Sequence, residues 1–492
     1  MACASRRGVA VLLLALLVAW AAGCSDDDSD PSDDASTTTT SSVPDDVGAD
    51  GGDDPDDGET AEPDDDGGQA GTDPLPPLPD HIALPIVFVH GFAGSAQQYE
   101  SQAMRFVANG YPQDRIVAYE HDGAGFDIAG YTDGLEAFVD ATLAEHGVER
   151  IYLVGHSRGT AVSLGFLTRP GRTEQVAKLV LIDGAPCPDP AEVVELRDLP
   201  CLSPNQAMFP GQAHVEVATS AESFAAQFEF LVGEAPEVVE IVPQRAPVVL
   251  EGRAVDFPSN VGREATLDIW AVDPDSGHRL DDAPHATFEL GPSGEFGPVE
   301  VEVGAHYEFA LSSADTPVVH HLYLQPYLRS THFVRLLTSR PDGATRQNTH
   351  TGDAHSALVV MRMREWYAVG RGAEVGAAPD ELLVSTVLAD GTATEEVDVM
   401  GEFVGNGAIG LHLHDGAESP GESTFTPLPY FSEQPFQGGV DVFMPASPDA
   451  DGTIRVTVVP RGDRARPQTV NVANWPSSGH SISVVFADHL VD

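Results

Sequence analysis

Positive charge is what this chain of 492 residues has least of: 25 Lys and Arg stand against 77 Asp and Glu. The formal net charge is −52, and Lys178 is the single lysine. A chain of that sign has no general affinity for nucleic acid or for anionic membrane surfaces. The imbalance peaks between residues 25 and 80, which carry 20 acidic side chains and no Lys, Arg or His. That segment also has almost no large apolar side chains, so it cannot bury enough surface to offset the entropy of ordering. Self-repulsion extends it, and residues 24–80 are expected to be a disordered acidic tether.

Long apolar runs are missing too. The longest, Gly8 to Ala22, is too short to span a bilayer. Preceded by Arg6 and Arg7, it reads as a signal peptide over residues 1–23. Its end, Ala21-Ala22-Gly23-Cys24, resembles a bacterial lipobox, which implies cleavage before Cys24 and lipidation of that cysteine. The expectation is an exported lipoprotein, held to the membrane through its N-terminal lipid. Cysteine is scarce as well, with four in the chain. Cys3 leaves with the signal and Cys24 carries lipid, so Cys187 and Cys201 remain as one pair. In an exported protein the default for such a pair is a disulfide. Closing a loop of about 15 residues, it stabilises by roughly 3 kcal/mol in the chain-entropy model.

The 42% apolar content supports real cores beyond residue 80. Pro85-Ile86-Val87-Phe88-Val89-His90 is a nearly continuous apolar run halted by Gly91, the pattern of a strand covered on both faces. Further strands are expected at Arg115–Glu120, Arg150–Val154 and Lys178–Ile182. Helices are expected at Ser95–Asn109, Asp133–His146, about Thr160–Leu167 and Ala221–Gly233. Strands alternating with helices imply a parallel sheet covered on both sides, so residues 81–242 are read as an α/β catalytic domain. After Val242 the grammar changes. Ala265–Trp270, Val299–Val303 and Thr453–Val458 alternate apolar with polar residues, as in antiparallel β-sandwiches. Small residues from Gly370 to Pro379 suggest a seam, which divides the region into β-subdomains at 243–375 and 376–492. Asp273-Pro274-Asp275-Ser276-Gly277 reads as a β-turn rather than a calcium loop.

Gly155-His156-Ser157-Arg158-Gly159 follows a buried strand and opens a helix. A sharp turn there exposes the serine Oγ at the carboxyl edge of the sheet, while the flanking glycines let strand and helix approach. Ser157 is therefore the candidate nucleophile. A serine that transfers acyl groups needs N–H donors for the developing oxyanion, each worth roughly 3–4 kcal/mol. The loop His90-Gly91-Phe92-Ala93-Gly94 supplies the Phe92 N–H, and the helix start supplies that of Arg158. His90 and His156 are read as structural. Asp183, directly after the strand ending at Ile182, is the candidate acid, with Asp189 in reserve. His214, ahead of the last helix, is the candidate base; His320, His321, His332, His350 and His355 are weaker ones.

These motifs, with Leu181-Ile182-Asp183-Gly184 and His214-Val215-Glu216-Val217, resemble bacterial and archaeal lipases of the α/β-hydrolase superfamily. The resemblance is to those in which a small hydrolase domain precedes a C-terminal β-domain, and it covers roughly residues 84–375. It implies the acid at Asp183 and a role for the β-domain with long acyl chains. The stretch from Asp183 to His214 is too short for a large lid. The expected function is a carboxylic-ester hydrolase acting on lipid esters, most simply acylglycerols, with no metal or organic cofactor. Short-chain or polyester hydrolysis is the rival within enzymes. A surface adhesion protein with a vestigial hydrolase domain is the rival from another class.

Overall fold

The computed structural model describes residues 75–491 apart from 81, 190–192, 194–195, 368–378, 403–406 and 420. The expected signal peptide, Cys24 and all but the last residues of the tether lie outside the described residues, as does most of the 370–379 seam.

Five strands form a parallel sheet in the order β2-β1-β3-β4-β5: β1 Ile86–Val89, β2 Ile116–Tyr119, β3 Ile151–His156, β4 Val176–Ile182 and β5 Cys201–Leu202. Alternation along β1 explains its unbroken apolar run. Ile86 and Phe88 face a core completed by Phe106, Phe224 and Phe228. Val87 and Val89 face another completed by Leu135, Val139, Val162 and Phe166. The helices behind those cores are α1 Glu100–Ala108, α2 Ile128–His146, α3 Arg158–Leu167, the single turn α4 Glu216–Thr219, and α5 Ala221–Val232. Helix α2 starts five residues earlier than its apolar spacing suggests. Asp127 caps it by accepting the Gly130 N–H, and Gly147 ends it at φ 62°.

The β region builds three further sheets. Strands β6 Val248–Asp256, β7 Val261–Gly262, β10 Glu295–Val301 and β13 Thr331–Thr338 form the first. The second has eight strands: β8 Ala265–Ala271, β9 Ala286–Leu290, β11 Tyr307–Ser312, β12 Val319–Leu324, β14 Leu358–Trp366, β17 Ala408–His414, β18 Gln437–Asp441 and β21 His480–Phe486. The third joins β15 Glu381–Val387, β16 Val397–Asp398, β19 Thr453–Val459 and β20 Gln468–Ala473. Most neighbours are antiparallel, but β6/β13, β12/β21, β14/β21 and β17/β18 pair in parallel. The eight-stranded sheet serves two sandwiches. Leu267, Ile269, Phe309 and Leu322 pack on the first sheet, and Val360, Trp366, Leu411 and Val484 pack on the third. The boundary drawn at residue 375 runs through this shared sheet rather than beside it, since β12 and β14 flank β21.

The β region also closes the core of the parallel sheet. Phe333 of β13 is buried in the same cluster as Phe88 and Phe106. Arg335 and Arg253 pair with Glu120 at 3.0 and 2.7 Å. Burial alone would raise the Glu120 carboxyl; the two guanidiniums outweigh it and hold the group below its ordinary range.

Candidate active site

Ser157 sits between β3 and α3 with φ 53° and ψ −122°, a backbone conformation that costs energy for any residue but glycine. The surroundings enforce it. A Cβ on Gly155 would meet the Gly159 carbonyl oxygen at 2.6 Å, and one on Gly159 would meet that of Val89 at 2.1 Å. Glycine at both positions is thus a steric requirement. The Ser157 N–H donates to the Ile182 carbonyl at 2.9 Å, fixing the turn against β4.

Asp183 follows β4 at φ 37°, and its N–H donates to the Pro204 carbonyl. Its carboxylate accepts from the Gln206 N–H at 3.3 Å and lies 2.6 Å from His214 Nδ1. A carboxylate only accepts, so Nδ1 carries the proton and Nε2 keeps its lone pair. Ser157 Oγ lies 2.9 Å from that Nε2. Ser157, His214 and Asp183, gathered from three loops, form one continuous hydrogen-bonded chain. Asp189 is exposed on the loop beyond Cys187. Cys187 and Cys201 are disulfide-bonded, joining that loop to β5.

The loop after β1 presses on the serine: a Cβ on Gly91 would lie 2.7 Å from Ser157 Cβ and 3.2 Å from its Oγ. The Arg158 N–H opens α3 and, as a first-turn amide, has no intrahelical acceptor. The Arg158 guanidinium holds the neighbouring loops, donating to the carbonyls of Asp122 at 2.7 Å and Gly91 at 3.3 Å. It also stacks within 5.9 Å of the Tyr131, Phe92 and Phe126 rings. Phe126 is 72% exposed, an apolar side chain on the loop facing Phe92.

His90 is structural. Its Nδ1 bonds the Gly91 carbonyl, its ring stacks on His121, and burial lowers its pKa to about 4. His156 has a larger role than packing. Burial, followed by the proximity of His214, holds it neutral. Its Nε2 donates to the His214 carbonyl at 3.0 Å while its Nδ1 meets the Gln98 amide.

Residues from the β region grip the other side of the His214 loop. The N–H groups of Val215 and Glu216 donate to the two carboxylate oxygens of Glu365, at 2.5 and 3.1 Å. Burial pushes the Glu365 carboxyl up, while the Val215 N–H and the nearby His214 and Arg461 pull it down. Glu216 is paired by Arg461 at 2.6 Å and by Arg364 at 2.7 Å. Arg461 reaches on to Asp380 at 2.8 Å, where Arg362 also binds at 2.9 Å. None of these five β-region residues stood out in the sequence. The Asp273–Gly277 segment is a turn in which Asp273 Oδ1 accepts from the N–H groups of Asp275 and Ser276.

Comparison with known proteins agrees with this architecture. Residues 85–213 match the family described as alpha/beta hydrolase fold. They form an α/β-hydrolase domain. Residues 246–341 match a lipase C-terminal domain, and 344–490 match a further C-terminal domain. A non-heme chloroperoxidase of Streptomyces lividans is 31% identical over 113 residues, 21% of this chain and 37% of that protein. Ethanol acetyltransferase 1 of Cyberlindnera fabianii is 36% identical over 109 residues, 22% of this chain and 31% of that protein. The chain thus spans about a third of the length of these curated relatives. Among solved structures, a Bacillus licheniformis lipase is 23% identical, with 23% of this chain and 45% of that one covered at a TM-score of 0.20. Among the described residues, no helix is long and apolar enough to cross a membrane.

Proposed function

We propose that the α/β-hydrolase domain is a serine carboxylic-ester hydrolase acting on lipid esters. Ser157 Oγ attacks the ester carbonyl as His214 Nε2 takes its proton, and Asp183 stabilises the imidazolium that results. The N–H groups of Phe92 and Arg158 stabilise the oxyanion. His214 then protonates the leaving alcohol, and water activated by the same histidine releases the acid. The carrying observation is the hydrogen-bonded chain Ser157–His214–Asp183, with spacings of 2.9 and 2.6 Å.

The lipid preference rests on the lipase C-terminal domain match over residues 246–341 and on an open cavity lined by residues of the β region. Ala93 lines it, beside the proposed oxyanion donor Phe92, as does Phe436, whose ring stacks 6.2 Å from that of His214. Leu337, Met361, Met363 and Ile409 give it an apolar stretch suited to an acyl chain. Rates on p-nitrophenyl esters from acetate to palmitate test this. Long-chain preference, lost when Met363→Trp fills the cavity while acetate hydrolysis persists, is expected. A preference for acetate that Met363→Trp leaves unchanged would overturn the lipid assignment in favour of short-chain esters. In the same reading the enzyme is exported and anchored by a lipid on Cys24, with residues 24–80 as the stalk; the lipobox-like sequence supports this.

A further inference from the structure

Outside the catalytic constellation, three side chains bring metal-binding atoms together. His350 and His355 lie on the loop before β14, and Asp415 directly follows β17. One ligand atom from each lies within 4.8 Å of the others. One polar atom of each side chain has a hydrogen-bond partner. His350 Nδ1 is 2.6 Å from the Asp415 carbonyl oxygen, which can only accept, so Nδ1 is protonated and Nε2 holds the lone pair. His355 Nδ1 likewise donates to the Ser356 carbonyl at 3.3 Å, with Ser477 Oγ also at 3.3 Å, again leaving Nε2 as a lone pair. Asp415 Oδ1 accepts from the Ser419 N–H at 3.1 Å. Ligands of metal ions are commonly oriented by such bonds from the atom that does not face the ion.

Two of the other atoms are unsatisfied. His355 is 3% exposed and Asp415 0% exposed, yet His355 Nε2 and Asp415 Oδ2 have no hydrogen-bond partner among the described residues. Two buried acceptors without a donor form a costly arrangement, which a bound cation relieves. His414, 3% exposed and next to Asp415 in the chain, has both ring nitrogens unpartnered too.

We propose that His350, His355 and Asp415 bind one divalent transition-metal ion, with zinc favoured by the imidazole and carboxylate ligands. Zinc bonds of about 2.0–2.2 Å put tetrahedral ligands about 3.4 Å apart, so even the widest pair has only about 1.4 Å to close. The ligands come from stretches 65 residues apart in sequence. The ion therefore ties the 350–355 loop to the end of β17, stapling the fold without joining the ester chemistry.

The full chain without a polyhistidine tag, stripped by chelator and re-equilibrated with zinc chloride, tests this by mass-spectrometric metal analysis and calorimetric titration. One tightly held zinc per chain is expected, with a melting temperature that rises on zinc addition and an unchanged initial rate on p-nitrophenyl acetate. His350→Ala, at a half-buried position that tolerates truncation, should weaken that binding at least about tenfold, and Asp415→Asn should do the same. Wild-type protein that takes up no stoichiometric zinc would overturn the site. Equal binding by His350→Ala and wild type would overturn it as well, placing the metal on the acidic residues 25–80.

Discussion

Replacing Glu365 with alanine probes how the β region serves the hydrolase domain. Glu365 holds the backbone immediately after His214 through the Val215 and Glu216 N–H groups. Alanine leaves two buried N–H groups without acceptors, at about 1–3 kcal/mol each. Removing a carboxylate whose burial is itself unfavourable offsets part of that, so a net loss of roughly 2–4 kcal/mol in stability is expected. The catalytic effect follows from geometry. A displacement of His214 by about 1 Å lengthens its bond to Ser157 and costs 10- to 100-fold in kcat. KM should change little, because no atom that binds substrate has been removed. Calorimetry confirms that the variant is folded, and steady-state kinetics on p-nitrophenyl butyrate give kcat and KM. Glu365→Gln should recover only part of the rate, since its amide oxygen can accept from one N–H while its NH2 opposes the other. A folded Glu365→Ala enzyme with kcat within about twofold of wild type would refute the positioning argument.

Asp183→Asn should lower kcat by roughly 10³–10⁴ with KM little altered, because the amide no longer enforces the Nδ1–H tautomer of His214; a near-normal Asp183→Asn beside an inactive Asp189→Asn would move the acid. A chain ending at Gln244 should be unstable and lose activity equally on short and long esters, because Phe333, the Arg partners of Glu120 and the Glu365 clamp are all removed. Circular dichroism and esterase assays check this, and a folded fragment with wild-type acetate hydrolysis would contradict it. Cys24→Ser should move the protein from membrane to soluble fractions; a variant still incorporating labelled fatty acid would exclude Cys24 as the anchor.

What the sequence disclosed follows from the range of the physics involved. The turn at Ser157 is a local steric problem, and only glycine at 155 and 159 solves it, so five consecutive residues announce it. Asp183 and His214 were legible because each lies just after or before a recognisable element. The Glu365 and Arg461 contacts to the His214 loop span 150 and 245 residues, and no short pattern marks such a pairing. Period-two alternation in the β region tells which side chains face inward, but not which strands become neighbours. That is why a boundary drawn at 375 cuts a sheet in which β21 lies between β12 and β14. His350 and His355 were visible only as weak candidates for the base, since Asp415 joins them through the register of β17.

The central claim is that Ser157 is the nucleophile, and covalent labelling addresses it most directly. Wild-type enzyme treated with a fluorophosphonate, digested and read by tandem mass spectrometry should carry one adduct, on Ser157, in proportion to lost activity. Ser157→Ala should remain folded, take no label and retain less than roughly a thousandth of the wild-type rate, the residue left to an oxyanion hole alone. An adduct on a different serine, or a Ser157→Ala enzyme that still hydrolyses esters well above that level, would contradict the account.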